Sequence, residues 1–255
     1  MIPLLTDLVA IAMALTQIPA GPPVPEAAAR TSPKNPVPFA VGEKAVYTVK
    51  FGFVNAGTGT MEVKGIERIR GVDAWNFAFR ITGGIPLYRV DDVLESWVDT
   101  ARFVSLRYIQ DQEEGRRSRE RRYEIFPERA EFQEEGKAMA ASVTEPLDDA
   151  SFLYFVRTLP LEVGKEYAFD RYFKPGSNPV RIKVLRKERI EVPAGKFDAI
   201  VIQPIIKTRG IFSEGGRAEV WIADDPTRAV LQLKSKLSFG SINLYLKSYQ
   251  PGTRP

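Results

Sequence analysis

From Val41 onward, apolar and polar residues alternate with period two, the signature of half-buried β-strands. Over 229–237, Ala229, Leu231, Leu233 and Leu237 fall on one side, while Gln232, Lys234 and Lys236 fall on the other. Over 242–246, Ile242, Leu244 and Leu246 alternate with Asn243 and Tyr245, and Gly240 between the two runs marks a tight hairpin. The same periodicity predicts strands over 44–53, 59–66, 75–82, 90–98, 103–110, 119–126, 180–190, 197–207 and 218–222. The period changes once, over 147–159. There Phe152, Phe155, Val156 and Leu159 stand at i, i+3, i+4 and i+7, the stripe of a helix lying on a core. Pro146-Leu147-Asp148-Asp149 opens this helix with acids at the positive end of its dipole, and Pro160 stops it.

The helix divides the strands into two groups with matching sequence. Val41-Gly42-Glu43-Lys44 recurs as Val163-Gly164-Lys165-Glu166, and Glu67-Arg68-Ile69 as Glu188-Arg189-Ile190. Glu95-Ser96-Trp97-Val98 recurs as Glu219-Val220-Trp221-Ile222. The near-constant spacing predicts an internal duplication. The expected fold is mainly β, with two related antiparallel sheets or one strongly curved, half-barrel or barrel-like sheet, and one short helix. A single domain over 41–250 follows, with repeats at about 41–135 and 162–250 on either side of the helix.

Residues 4–18 (LLTDLVAIAMALTQI) form the one long apolar run. It is shorter than the ~20 residues of a membrane-spanning helix and suits a secretory signal peptide. Ala20 and Ala27-Ala28-Ala29 offer small residues for cleavage, although no Lys or Arg precedes Arg30. Residues 1–29 therefore read as a signal peptide or weak N-terminal anchor, and 30–40 as a proline-rich tether. The expected location is the periplasm or cell envelope, free or tethered by the N-terminus.

Composition narrows the chemistry. The 255 residues include no cysteine and no histidine, which excludes disulfides, thiolate nucleophiles, iron–sulfur clusters, histidine-ligated metals and Ser-His-Asp catalysis. A net charge of +4 is too mild for a nucleic-acid coat. Carboxylates are the remaining place to look. Asp91-Asp92 and Asp224-Asp225 are adjacent pairs, and neighbours on a strand point to opposite faces. Asp225-Pro226 fits a type I turn, and Asp99-Thr100 stands in the matching place after Trp97. These acids read as turn chemistry, so no catalytic residue, metal or cofactor is expected. Asn55-Ala56-Gly57 reads as a hairpin turn rather than a phosphate loop, and Trp97 and Trp221 as sheet packing.

The run Glu113-Glu114-Gly115-Arg116-Arg117-Ser118-Arg119-Glu120-Arg121-Arg122 has strand periodicity. With Glu114-Gly115 as the turn, Gln112 opposes Arg117, Gln110 opposes Arg119, Tyr108 opposes Arg121, Leu106 opposes Tyr123 and Val104 opposes Ile125. All ten side chains then share one face, grading from apolar residues through tyrosines to arginines. That profile predicts an amphiphile site made by Arg117, Arg119, Arg121, Tyr108, Tyr123, Leu106 and Ile125, with guanidinium groups at the rim for phosphate or carboxylate. The competing reading is a solvated hairpin tip.

From Gly42 to Tyr249 the chain resembles the bacterial family known as domain of unknown function 3108. The resemblance rests on Gly42-Glu43 with Tyr47, on Asn55-Ala56-Gly57, and on Val90-Asp91-Asp92 leading to Glu95-Ser96. It continues through the helical segment 149–161, Gly195-Lys196-Phe197-Asp198-Ala199, Gly210-Ile211-Phe212 and Trp221-Ile222-Ala223-Asp224-Asp225. It implies a β-rich protein exported to the cell envelope, with no established activity and no catalytic residues to carry over. The expected function is non-catalytic binding of an apolar or amphiphilic envelope molecule. The alternatives are an envelope structural or protein-interaction module and, third, a carboxylate enzyme acting on envelope polymers.

Overall fold

Alternation organises the chain into a meander of antiparallel strands. The computed structural model describes residues 37–253, apart from 86–87, 207–217 and 238–239. The expected signal segment, most of the tether, and Gly210-Ile211-Phe212 lie outside the described residues. The first group of strands is β1 (Lys44–Phe51), β2 (Val54–Ile69), β3 (Val72–Ile85), β4 (Tyr88–Asp99), β5 (Ser105–Glu114) and β6 (Arg117–Phe126). The short β7 (Glu131–Glu134) and β8 (Met139–Ala141) follow, then the helix α1 (Asp149–Val156). The second group is β9 (Glu166–Phe169), β10 (Val180–Val192), β11 (Gly195–Ile205), β12 (Glu219–Ala223), β13 (Val230–Leu237) and β14 (Gly240–Gln250).

All of these strands belong to one open sheet, in the order β8-β7-β6-β5-β4-β3-β2-β1-β14-β13-β12-β11-β10-β9. Of the two expected arrangements, the chain adopts the single sheet. Its first and last long strands, β1 and β14, pair at the centre from Lys44↔Gln250 to Phe51↔Ile242. The sheet coils over one face, because one apolar cluster unites Phe77 and Val98 of the first group, Phe155 of α1, and Ile200, Val220 and Leu244 of the second. Gly59 presents no side chain to the concave face, and Leu244 and Val49 lie beside the space a Cβ would take.

The helix is shorter than its sequence stripe. Asp148 caps it, accepting hydrogen bonds from the N–H groups of Ala150 (3.0 Å) and Ser151 (2.9 Å), while the Ser151 hydroxyl accepts from Asp148 N–H. Phe152, Phe155 and Leu159 are buried as the stripe predicts. Tyr154 stacks on Phe77 at 3.9 Å, fixing which face of β3 looks toward the helix.

The two groups of six strands share local devices at matched positions. Gly42 and Gly164 take positive φ (83° and 85°), and their N–H groups donate to Val63 and Val184 carbonyls at 2.8 and 2.9 Å. Trp97 Nε1 donates to Glu67 (2.8 Å), and Trp221 Nε1 donates to Glu188 (2.5 Å). Both tryptophans are buried in sheet packing.

Two predicted turns are displaced. The first hairpin turns at Gly52-Phe53, where Gly52 supplies φ +58°, so Asn55-Ala56-Gly57 lies within β2. The arginine hairpin turns at Gly115-Arg116, not Glu114-Gly115. A two-residue turn favours positive φ at its first central position, and Gly115 supplies it with φ +62°. Glu114 therefore pairs with Arg117, Gln112 with Arg119, Gln110 with Arg121 and Tyr108 with Tyr123.

Candidate functional site

Register places side chains of β3, β4, β5 and β6 in rows across the concave face. Phe77, Ser96, Tyr108 and Tyr123 make the row nearest the helix, with Glu134 of β7 continuing it. The next row is Phe79, Leu94, Gln110 and Arg121, and the third is Ile81, Asp92, Gln112 and Arg119. Neighbouring strands are 4.7–4.9 Å apart, so each four-strand row is roughly 15 Å wide.

The first row is closed. Ser96 donates to Asp148 at 2.5 Å, and the Tyr108 hydroxyl donates to Asp149 at 3.0 Å while accepting from Gln110 at 2.8 Å. Tyr172 donates to Asp149 at 3.2 Å, and Lys174 donates to the Tyr123 hydroxyl at 3.2 Å. Burial pushes Asp148 up to about 6 against the hydrogen bonds from Ser105, Ser96 and the Ser151 N–H. Asp149 is also raised by burial, opposed by its two tyrosine hydrogen bonds. Phe173 and Phe132 pack against Tyr123. This layer holds protein groups against one another and forms a polar floor.

The second and third rows are open. Phe79, Ile81 and Leu94 are half-buried, as are Gln110, Gln112 and Arg121, while Arg119 is exposed. Arg121 Nε is buried with no hydrogen-bond partner among the described residues. The second row therefore runs from apolar side chains on β3 and β4, through Gln110 on β5, to the guanidinium group of Arg121 on β6, and the third runs from Ile81 on β3 through Asp92 and Gln112 to Arg119. Such a surface can desolvate a hydrocarbon segment at one end and donate charge-assisted hydrogen bonds at the other.

Four of the seven sequence-predicted site residues change role. Tyr108, Tyr123 and Ile125 face the concavity with the arginines, but all three are fully buried among the protein's own aromatic and aliphatic side chains. Leu106 leaves the face altogether. A bulge pairs Trp97 with Arg107 and Val98 with Ser105, so Leu106 packs with Val104, Trp97 and Ile69 in a second cluster on the convex side. Arg117, Arg119 and Arg121 remain together, and Arg117 is exposed at the hairpin tip. The apolar partners Phe79, Ile81 and Leu94 were not singled out from sequence. Their alternation is visible in the chain, but their place beside the arginines depends on long-range register.

The acidic pairs do not converge. Asp91 forms a bidentate pair with Arg80 at 2.8 and 2.9 Å, and Asp224 pairs with Lys187 at 2.6 Å. Asp225 accepts from Thr227 N–H in its turn, and Asp99 accepts from the N–H groups of Ala101 and Arg102. Among the described residues, no cluster of three or more acids is placed to hold a metal ion. No helix among them is long and apolar enough to cross a membrane.

Among solved structures, the fold is similar to a β-barrel-like protein of domain of unknown function DUF1849 from Brucella abortus. The TM-score is 0.59 at 9% identity, over 84% of this chain and 99% of that one. A candidate lipoprotein from Parabacteroides distasonis matches at TM-score 0.38 and 12% identity, over 84% of this chain and 98% of that one. A candidate exported protein with a YmcC-like fold from Bacteroides fragilis matches at 0.30 and 12%, over 84% and 97%. No curated protein matches the chain. The arrangement of sheet and helix is thus that of a β-barrel-like protein, and its sequence places it: residues 46–247 match the family described as "Protein of unknown function (DUF3108)", to which the chain belongs.

Proposed function

We propose that this protein is a non-catalytic binder of an amphiphile with an acidic head group, acting in the cell envelope. The observation that carries the reading is the graded pair of rows, Phe79-Leu94-Gln110-Arg121 and Ile81-Asp92-Gln112-Arg119, left half-open above a sealed polar floor. Arg121 and Arg119 take the phosphate or carboxylate, and an anionic oxygen supplies the acceptor that Arg121 Nε lacks. Phe79, Ile81 and Leu94 cover the first part of the hydrocarbon. The apolar run at 4–18 supports export to the envelope as the setting.

Calorimetric titration of the full chain with dodecyl phosphate and with dodecyltrimethylammonium tests the proposal. Binding is expected for the phosphate alone, weakened about tenfold or more in the folded Arg119→Gln/Arg121→Gln variant, since hydrogen bonds to charged groups contribute ~1.5–3 kcal/mol. Equal binding of both detergents, or of neither, overturns it.

A further inference from the structure

The rows of the concave face open toward one end of the sheet, where the β1–β2 and β5–β6 hairpins turn beside the end of β3, the start of β4, the end of β13 and the start of β14. Two hydrogen bonds tie these tips together: Gly52 N–H donates to Ser241 O (2.9 Å), and Gly115 N–H donates to Arg89 O (2.7 Å). The first tip carries the most exposed large apolar residues of the described chain. Phe53 is 102% exposed and Val54 beside it is 60% exposed. A wholly solvated phenylalanine on a tight turn buries no apolar area in the fold.

Basic residues surround it on the same end. Lys50 precedes the turn, Lys236 lies opposite Ser241, and Arg89, Arg116 and Arg117 occupy the adjacent tips. Glu113 and Glu114 are the acids closing the β5–β6 turn, so the end is net positive. Aromatic and aliphatic side chains projecting from a ring of Lys and Arg match an anionic bilayer surface, where rings settle at headgroup depth and cations meet lipid phosphates.

We infer that this end of the sheet docks on an anionic membrane surface, with Phe53 and Val54 entering the interface and Lys50, Arg89, Arg116 and Lys236 contacting headgroups. The docking surface adds to the amphiphile reading a route by which cargo passes between membrane and concave face. It rests on that reading for this role alone, since Phe53, Val54 and Arg89 take no part in the graded rows.

Flotation of the full chain with phosphatidylglycerol and with phosphatidylcholine vesicles separates the outcomes. Wild type is expected to float with phosphatidylglycerol and to be released at high salt, as the screening length falls from about 10 Å at 0.1 M to 3 Å at 1 M. Phe53→Ser/Val54→Ser is expected to weaken this about tenfold. Arg89→Gln/Arg116→Gln is expected to weaken it roughly fivefold for each charge removed. Because all variants share the same N-terminal segment, any contribution from it cancels. Dodecyl phosphate binding without vesicles stays at the wild-type level in both variants, which separates failure of docking from failure of the amphiphile site. Emission of Phe53→Trp is expected to shift to the blue on phosphatidylglycerol alone. The inference is overturned if Phe53→Ser/Val54→Ser floats as well as wild type, or if Phe53→Trp emission does not move. It is equally overturned if the serine variant instead abolishes a concentration-dependent dimer, which would make the tip a contact between copies.

Discussion

Arg157 and Glu43, 114 residues apart, are joined by two parallel hydrogen bonds of 2.6 and 2.9 Å with both side chains buried. Arg157 also donates to the Thr227 carbonyl, and the Tyr249 hydroxyl donates to Glu43. The end of α1, the entry to β1, the exit of β14 and the β12–β13 turn therefore meet at one ion pair.

Removing one partner of that pair leaves an uncompensated buried charge. Arg157→Met is expected to lower stability by about 3–5 kcal/mol, whereas Glu43→Leu/Arg157→Met recovers most of the loss. Urea midpoints of the single and double variants check this, and equal loss in both would contradict it.

Stability is expected to fall as pH rises from about 4 to about 6. Asp148 has a folded-state pKa of about 6, above its usual value of 3.8. Its neutral form is therefore favoured by folding. The contribution is fully present below pH ~4, is lost as pH rises through 6, and amounts to roughly 2–3 kcal/mol. Asp149 is shifted the same way. Glu67, Asp91, Glu134 and Glu188 are lowered, by side-chain hydrogen bonds from Asn76, Arg80, Lys137 and Arg186 respectively. Their stabilisation is lost only at more acid pH. With no histidine in the chain, the window belongs to the buried aspartates. Asp148→Asn, which keeps a capping oxygen, should show a shallower dependence of urea midpoint on pH; an unchanged slope would assign the effect elsewhere.

Gly83 and Gly57 oppose each other across β2 and β3, with φ of 150° and 155°. A Cβ on Gly83 would lie 1.9 Å from the Ala56 carbonyl oxygen, and one on Gly57 2.0 Å from the Thr82 oxygen. Gly83→Ala is expected to cost about 1–3 kcal/mol and to increase amide exchange in 55–59 and 81–85. By contrast Gly65→Ala, with open space beside it, should leave those amides protected.

The alternation that marked most strands was legible because one side of each strand is wet and the other meets the core. Strands β7, β8 and β9 were not, since three or four residues carry too little period to register. The stripe Phe152-Phe155-Leu159 located the helix, although the capping box of Asp148 and Ser151 starts it later than Leu147. The short matches around Gly42 and Gly164, and Trp97 and Trp221, fall on residues with the same local geometry. The arginine face was legible as a set. Its apolar partners were not, because one bulge near Trp97 removes Leu106 and only pairing across four strands brings Leu94 and Ile81 in its place.

The pairing of Lys44 with Gln250 makes the middle of the sheet a seam that only the finished chain can close. Until β14 is available, β1 is an unsatisfied edge carrying the core residues Ala45, Tyr47 and Val49, and the first group of strands must wait in that state. A circular permutant joining Thr253 to Val41, which already bridge each other, would turn this long-range contact into a local hairpin. Opened anew between β8 and the helix, such a chain would keep the pairing of all its strands while removing the slowest loop closure from its folding.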